Sequence, residues 1–139
     1  MLLRPALLLL PLLFAGCNSY STLPVKGIVK LKGGGDVSKL AGHTVNFEAT
    51  KPGPDGKTPS AVGEIGPDGT FLLSTNGTND GCYPGTFRIA ITPPLPPVDA
   101  PKPPLVIDPK YSNLQTSGLE QTIDAKTKEV VLELDPVAM

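Results

Sequence analysis

The residues of this chain that could do chemistry are few, and they form no recognised catalytic set. Its 139 residues include one histidine, His43, and two cysteines, Cys17 and Cys82. A single histidine cannot supply the several imidazole or thiolate ligands of a typical zinc site. No nucleophile-elbow motif accompanies it, as a serine hydrolase of that type would require. We therefore predict that the chain is not an enzyme, holds no metal and no cofactor, and carries His43 as a surface residue at the start of a strand.

One loop has the spacing of a partial calcium site. Oxygen-bearing side chains occur there at alternate positions, as in the first half of a calcium-binding loop, and belong to Asn76, Thr78 and Asp80. The twelfth position is Phe87, where such a loop needs a bidentate glutamate. Because one carboxylate makes a poor calcium site, we expect these residues to act as turn residues instead.

The first residues predict export. A single positive charge, Arg4, precedes an apolar run over residues 5–15. This run is too short to span a bilayer and is typical of the hydrophobic part of a secretory signal.

A cysteine follows this run and suggests lipid attachment. The sequence AGC at 15–17 resembles the lipobox of bacterial lipoprotein precursors, in which small residues precede a cysteine that is acylated and becomes the new N-terminus. The resemblance implies a signal peptide over residues 1–16 and lipid attachment at Cys17. The protein would then be exported and anchored to the cell membrane or the outer membrane, with residues 17–23 as a polar tether. The alternative is an ordinary signal peptide that is cut later, for instance after Ser19.

Acylation of Cys17 would leave Cys82 as the one thiol of the exported chain. No intramolecular disulfide is then expected. Cys82 could pair with a second chain, but we expect it to be a small buried residue of the core.

The rest of the sequence predicts an all-β domain. Alternation of apolar and polar residues recurs in short segments separated by Gly- and Pro-rich stretches, and no sustained helical stripe is seen. Seven such segments at this spacing favour a β-sandwich. The predicted strands are residues 25–32, 44–50, 61–65, 70–75, 86–92, 119–124 and 129–134.

The alternation also predicts which side chains face the core. Residues 86–92 are the clearest case, with Phe87, Ile89 and Ile91 directed inward and the intervening residues, Ala90 among them, directed outward. The sequence GPDG at 66–69 predicts a tight turn, and we interpret the strands on either side of it as a hairpin.

A proline-rich segment interrupts the strands. Seven of the twelve residues at 93–104 are proline, so the segment cannot pair inside a sheet. We expect an extended excursion that stiffly connects two strands. A docking segment for an aromatic-lined groove is the functional alternative.

Six short motifs carry a family resemblance through their order and spacing. They are VKG at 25–27, VNF at 45–47, GPDGTF at 66–71, DGCYPGTF at 80–87, PKY at 109–111 and SGL at 117–119. Together they resemble the carboxypeptidase regulatory-like (transthyretin-like) domains of small bacterial lipoproteins. The resemblance implies a seven-stranded prealbumin-like β-sandwich over residues 24–135, with a structural or interaction role and no fixed ligand. The hydrolase branch of transthyretin-like proteins uses several histidines and a C-terminal Tyr-Arg-Gly-Ser motif, and this chain has neither.

These features predict a lipid-anchored, non-enzymatic module of the cell envelope that contacts an envelope protein or polymer through loops such as 76–85 and 93–104. The net charge of −1 gives no reason to expect nucleic-acid binding, which needs a concentrated basic face. The alternative is a carbohydrate- or peptide-binding module. Exposure of Tyr83 and Tyr111 side by side would favour that alternative, because such modules present aromatic platforms.

Overall fold

A computed structural model describes residues 20–138 of the chain. The predicted signal peptide at 1–16 and the predicted lipid attachment at Cys17 lie outside these residues. All seven predicted strands are confirmed, and their ends differ from the predicted ones by at most three residues. The strands are β1 (Lys26–Leu31), β2 (Thr44–Ala49), β3 (Ser60–Glu64), β4 (Thr70–Leu72), β5 (Gly85–Thr92), β6 (Leu119–Ile123) and β7 (Glu129–Leu134). Two short 3₁₀ helices, Val37–Leu40 and Pro109–Ser112, lie between strands.

The strands form two sheets, an arrangement that fits a β-sandwich. One sheet has three strands in the order β4-β1-β7, and the other has four in the order β3-β2-β5-β6. β1 pairs antiparallel with β4 and parallel with β7, whereas every pair in the four-stranded sheet is antiparallel.

The inward side chains of both sheets form one core. Phe47 of β2 packs against Phe71 of the other sheet, with ring centroids 6.4 Å apart, and against Phe87 of its own sheet at 5.8 Å. All three rings are at most 2 % exposed, and Ile89 and Ile91 are equally buried, as predicted. Burying a side chain of this size contributes about 1.5–3 kcal/mol, so these contacts hold the two sheets together.

A glycine makes room for one of the core rings. Gly27 of β1 lies directly across from Phe71 of β4. A Cβ placed on Gly27 would lie well under 3.0 Å from the end of the Phe71 ring. The missing side chain therefore lets the ring lie over the β1 backbone, a known pairing of aromatic residues with strand glycines.

The turn at 66–69 forms as predicted, but the hairpin interpretation is wrong. Gly69 donates its N–H to the Gly66 carbonyl over 3.0 Å, and Asp68 accepts the Thr70 N–H over 3.1 Å. β3 nevertheless pairs with β2, while β4 pairs with β1 in the facing sheet. A single bridge between Val62 and Ser74 links the two segments. Local turn chemistry specifies the reversal of the chain, whereas the partner of each strand depends on residues far away in sequence.

Ala90 is buried, contrary to the outward exposure that its strand position predicts. Its side chain is on the outer face of β5 but is only 4 % exposed. The segment after the second 3₁₀ helix lines the same surface depression through Asn113 and Leu114, and the Ser117 hydroxyl donates to the Ile89 carbonyl. β5 is thus covered on both faces because a connection folds back over it.

The molecule has two ends with different loops. The eight residues of β5 run from one end to the other, a distance of about 23 Å at ~3.3 Å per residue. The end at which β5 begins, called the Tyr20 end, carries Tyr20 and loops 50–59, 76–84 and 124–128. The end at which it finishes, called the Pro-rich end, carries loops 32–43 and 65–69 and segment 93–108. Within residues 20–138 no helix is long and apolar enough to cross a membrane.

Candidate functional site

The proline-rich segment 93–104 projects from its end of the sandwich. It contains no strand, and Leu95 and Val98 are 94 % and 92 % exposed. A turn reverses the segment, with the Ala100 N–H donating to the Pro97 carbonyl over 3.0 Å and Asp99 at φ +70°. Both large apolar side chains therefore face solvent on a stiff, proline-restricted loop.

A groove of about 540 Å³ lies beneath this segment. The two arms of segment 93–108 form much of its wall, and the end of β5 contributes Ile91. The polar side chains at the groove are Lys39, His43, Lys102, Asp108 and Ser112. Its walls are mainly proline and aliphatic side chains, so the groove suits an apolar chain segment better than a small polar substrate.

His43 lines this groove immediately before β2, at the surface as predicted but partly covered. Its side chain is partly buried, and its Nδ1 atom is inaccessible and has no hydrogen-bond partner. Burial lowers the pKa of His43, although the nearby Leu40 and Ala41 carbonyls act in the opposite direction. The imidazole is therefore neutral near pH 7. The groove around His43 is also lined by Lys39 of the preceding 3₁₀ helix and by Pro93 and Pro94 after β5, and the strand pattern predicts none of these neighbours.

The other groups around His43 do not assemble a reaction centre. Among the described residues that line the groove, Asp108 is the one carboxylate, and it accepts the Lys110 N–H over 2.9 Å as the cap of the second 3₁₀ helix. Within the described part of the chain, no three His, Cys, Asp or Glu side chains group as metal ligands would. The arrangement can bind an apolar segment but offers no paired acid and base.

Asp80 has the predicted turn role. Its Oδ1 accepts the Thr75 N–H over 2.7 Å, and its Oδ2 accepts the N–H groups of Asn76 and Gly77 over 3.0 and 3.1 Å. These backbone donors, that of Thr75 foremost, lower the pKa of Asp80. The carboxylate thus holds loop 76–84 in shape. The loop lies at the Tyr20 end, so the two predicted contact loops, 76–85 and 93–104, are at opposite ends of the molecule.

Cys82 is buried in the core, as predicted. It is 1 % exposed and is not in a disulfide with any described residue. Burial raises the pKa of the Cys82 thiol to about 11, so the reactive thiolate is scarce at neutral pH.

Tyr83 and Tyr111 lie at opposite ends of the molecule. Tyr111 is 2 % exposed, and its hydroxyl accepts the Asp135 N–H over 2.8 Å and donates to the Asp135 carboxylate over 3.1 Å. Tyr83 is partly buried and stacks on Tyr20, with ring centroids 4.3 Å apart. The two rings form no shared platform, which argues against a carbohydrate-binding surface built from them.

Asp135 is an organising residue that the strand pattern does not reveal. Its carboxylate pairs with Lys110 at 2.6 Å and with Lys32 at 3.1 Å, in addition to the Tyr111 hydroxyl. These partners, Lys110 first, lower the pKa of Asp135 to about 2. The cluster joins the end of β7 to the second 3₁₀ helix and so supports the base of the groove.

Comparison of the chain with protein-family models, with curated proteins and with solved structures found no match.

Proposed function

We propose that this protein is a lipid-anchored, non-enzymatic interaction or structural module of the bacterial cell envelope. Residues 1–16 direct export in this proposal, and acylated Cys17 holds the domain at a membrane. The domain belongs, in the same proposal, to the prealbumin-like sandwiches of the carboxypeptidase regulatory-like type. Seven strands in sheets of three and four are compatible with that assignment.

The observation that carries the interaction role is the exposure of Leu95 and Val98. Contact of large apolar side chains with water is unfavourable by roughly 25 cal/mol per Å² of exposed apolar surface. Burial of these side chains by a partner would remove that cost and so favour binding. Prolines reduce the conformational entropy that the loop loses on binding, because their φ is already restricted. We therefore propose that segment 93–104 and the adjoining groove contact an envelope protein or an envelope polymer.

Site-specific photocrosslinking in intact cells tests this role. A photoreactive phenylalanine analogue at position 95 should give a discrete crosslinked species, because that side chain would lie in the interface. The same analogue at Val131, which is 44 % exposed on the outer face of β7, is the matched control and should give none. If position 95 yields no more product than position 131, the proposed contact surface is wrong.

A further inference from the structure

The segment that leads from the proposed anchor into the domain is held in place from Tyr20 onward. The Tyr20 and Tyr83 rings are parallel within 5° at a centroid distance of 4.3 Å. The Tyr20 hydroxyl is inaccessible to solvent and lies close to Gly53 in loop 50–59, where an added Cβ would be 2.5 Å from it. Leu23 donates its N–H to the Cys82 carbonyl over 2.8 Å and accepts the Cys82 N–H over 3.1 Å. The segment thus behaves as part of the folded domain.

The distance from this fixed segment to the lipid is short. Only Asn18 and Ser19 stand between Cys17 and Tyr20. Three residue steps span at most about 11 Å when fully extended. Without the Tyr20 contact, the tether would be free as far as Leu23, which its hydrogen bonds to Cys82 still hold, and six steps would span about 20 Å. The ring stack therefore roughly halves the length of the free tether.

We propose that the Tyr20 end of the sandwich lies against the lipid surface and that the Tyr20–Tyr83 stack sets this orientation. Loops 50–59, 76–84 and 124–128 then face the membrane. The Pro-rich end is about 23 Å farther out, the length of β5, and is directed away from the bilayer. This inference rests on the proposed acylation of Cys17, and it assigns the partner-binding face to the side that is open to other envelope components.

Charge contributes little to this orientation. The three loops carry Lys51, Lys57, Lys126 and Lys128 against Asp55, Asp80 and Asp124. Such a nearly balanced set gives weak attraction to anionic lipid, at about 1 kcal/mol per unpaired basic residue. The covalent lipid and the short tether are what bring this end to the membrane.

Energy transfer in vesicles tests the orientation. The full chain, processed in bacteria, is reconstituted into vesicles that contain headgroup-labelled acceptor lipids. A donor dye is attached through azidophenylalanine in place of Ala125 at the Tyr20 end or Val98 at the Pro-rich end. We expect more efficient transfer from position 125 than from position 98. Equal transfer from the two positions, or stronger transfer from 98, would overturn the inference.

Variants of the segment test the role of the stack. Tyr20→Ser should reduce the difference between the two positions, because the free tether becomes longer, whereas Tyr20→Phe, which keeps an aromatic ring, should preserve it. Ser21→Ala changes an exposed neighbour and serves as the matched control. Circular dichroism confirms that each variant is folded. A difference as large in folded Tyr20→Ser as in the parent chain would show that the stack does not orient the domain.

Failure of the anchor and failure of the orientation give different results. Mass spectrometry of the purified protein shows whether Cys17 carries lipid. If it does not, the proposed anchoring is wrong. The same dye-labelled chain is then cleaved so that it begins at Cys17, and this cysteine is coupled to a maleimide lipid. Burial protects Cys82 from the same reaction. Equal transfer from positions 125 and 98 in that sample would overturn the orientation by itself.

Discussion

Replacement of Gly81 by alanine should release the N-terminal segment from the domain. Gly81 has φ +89°, a conformation that L side chains rarely adopt. A Cβ at this position would also lie well under 3.0 Å from the carbonyl of Leu23 and 2.9 Å from the Cα of Pro24. These are backbone atoms, so no change of side-chain rotamer can relieve the clash. The segment itself must move.

The expected loss of stability follows from these contacts. The left-handed conformation costs alanine about 1–2 kcal/mol. Withdrawal of Leu23 breaks its two hydrogen bonds with Cys82, each worth about 0.5–1.5 kcal/mol. Gly81→Ala should therefore lower the free energy of unfolding by about 2–5 kcal/mol. It should also expose Cys82, against which Leu23 lies.

Urea unfolding followed by circular dichroism measures this loss in a chain that begins at Asn18. Gly77→Ala is the control in the same loop, because nothing lies within 4 Å of the added Cβ and Gly77 has no positive φ. That control should change the free energy of unfolding by less than about 1 kcal/mol. The reasoning is refuted if the free energy of unfolding of Gly81→Ala is within about 0.5 kcal/mol of that of the parent chain and Cys82 reacts with a thiol reagent no faster than in the parent chain.

Three further predictions concern the core, the base of the groove and the buried thiol. Gly27→Ala should destabilise the domain by about 1–3 kcal/mol through overpacking, and Phe71→Leu should partly rescue it in a double-mutant cycle; additive effects would contradict this. Asp135 has a pKa of about 2 in the folded protein and an ordinary value of 3.8. Its contribution to stability is thus present above pH 3.8 and is lost as the pH falls towards 2. Between these pH values, the urea midpoint of the parent protein should change more with pH than the urea midpoint of Asp135→Asn. Cys82 should react with a thiol reagent at pH 8 far more slowly in the native protein than in urea, and equal rates would show that its burial is wrong.

The strands and their inward faces could be predicted from the sequence because burial alternates along each strand. Phe87, Ile89 and Ile91 illustrate this, since two-residue periodicity by itself places them on one face. The reversal at 66–69 was equally local, because Pro, Asp and Gly each favour the required backbone angles. The projection of segment 93–104 followed from its prolines, which cannot pair within a sheet.

The pairing of strands and the environment of the candidate site needed the tertiary structure. β3 and β4 adjoin one turn yet lie in different sheets, since the partner of a strand is chosen among segments far away in the chain. Ala90 and His43 lie next to connections that fold back over the sheet. The alternation of apolar and polar residues along a strand gives no sign of such neighbours.

The sequence by itself determined which segments are strands and which strand residues face the core, and it predicts an export signal at 1–16 and a lipid site at Cys17. Only the tertiary structure decided that loops 76–84 and 93–104 are at opposite ends, that Tyr20 stacks on Tyr83, and that Asp135 gathers Lys32, Lys110 and Tyr111. The physical reason is the range of the interactions. Backbone preferences and alternation act over a few residues, whereas these contacts join residues dozens of positions apart and exist only once both sheets have assembled.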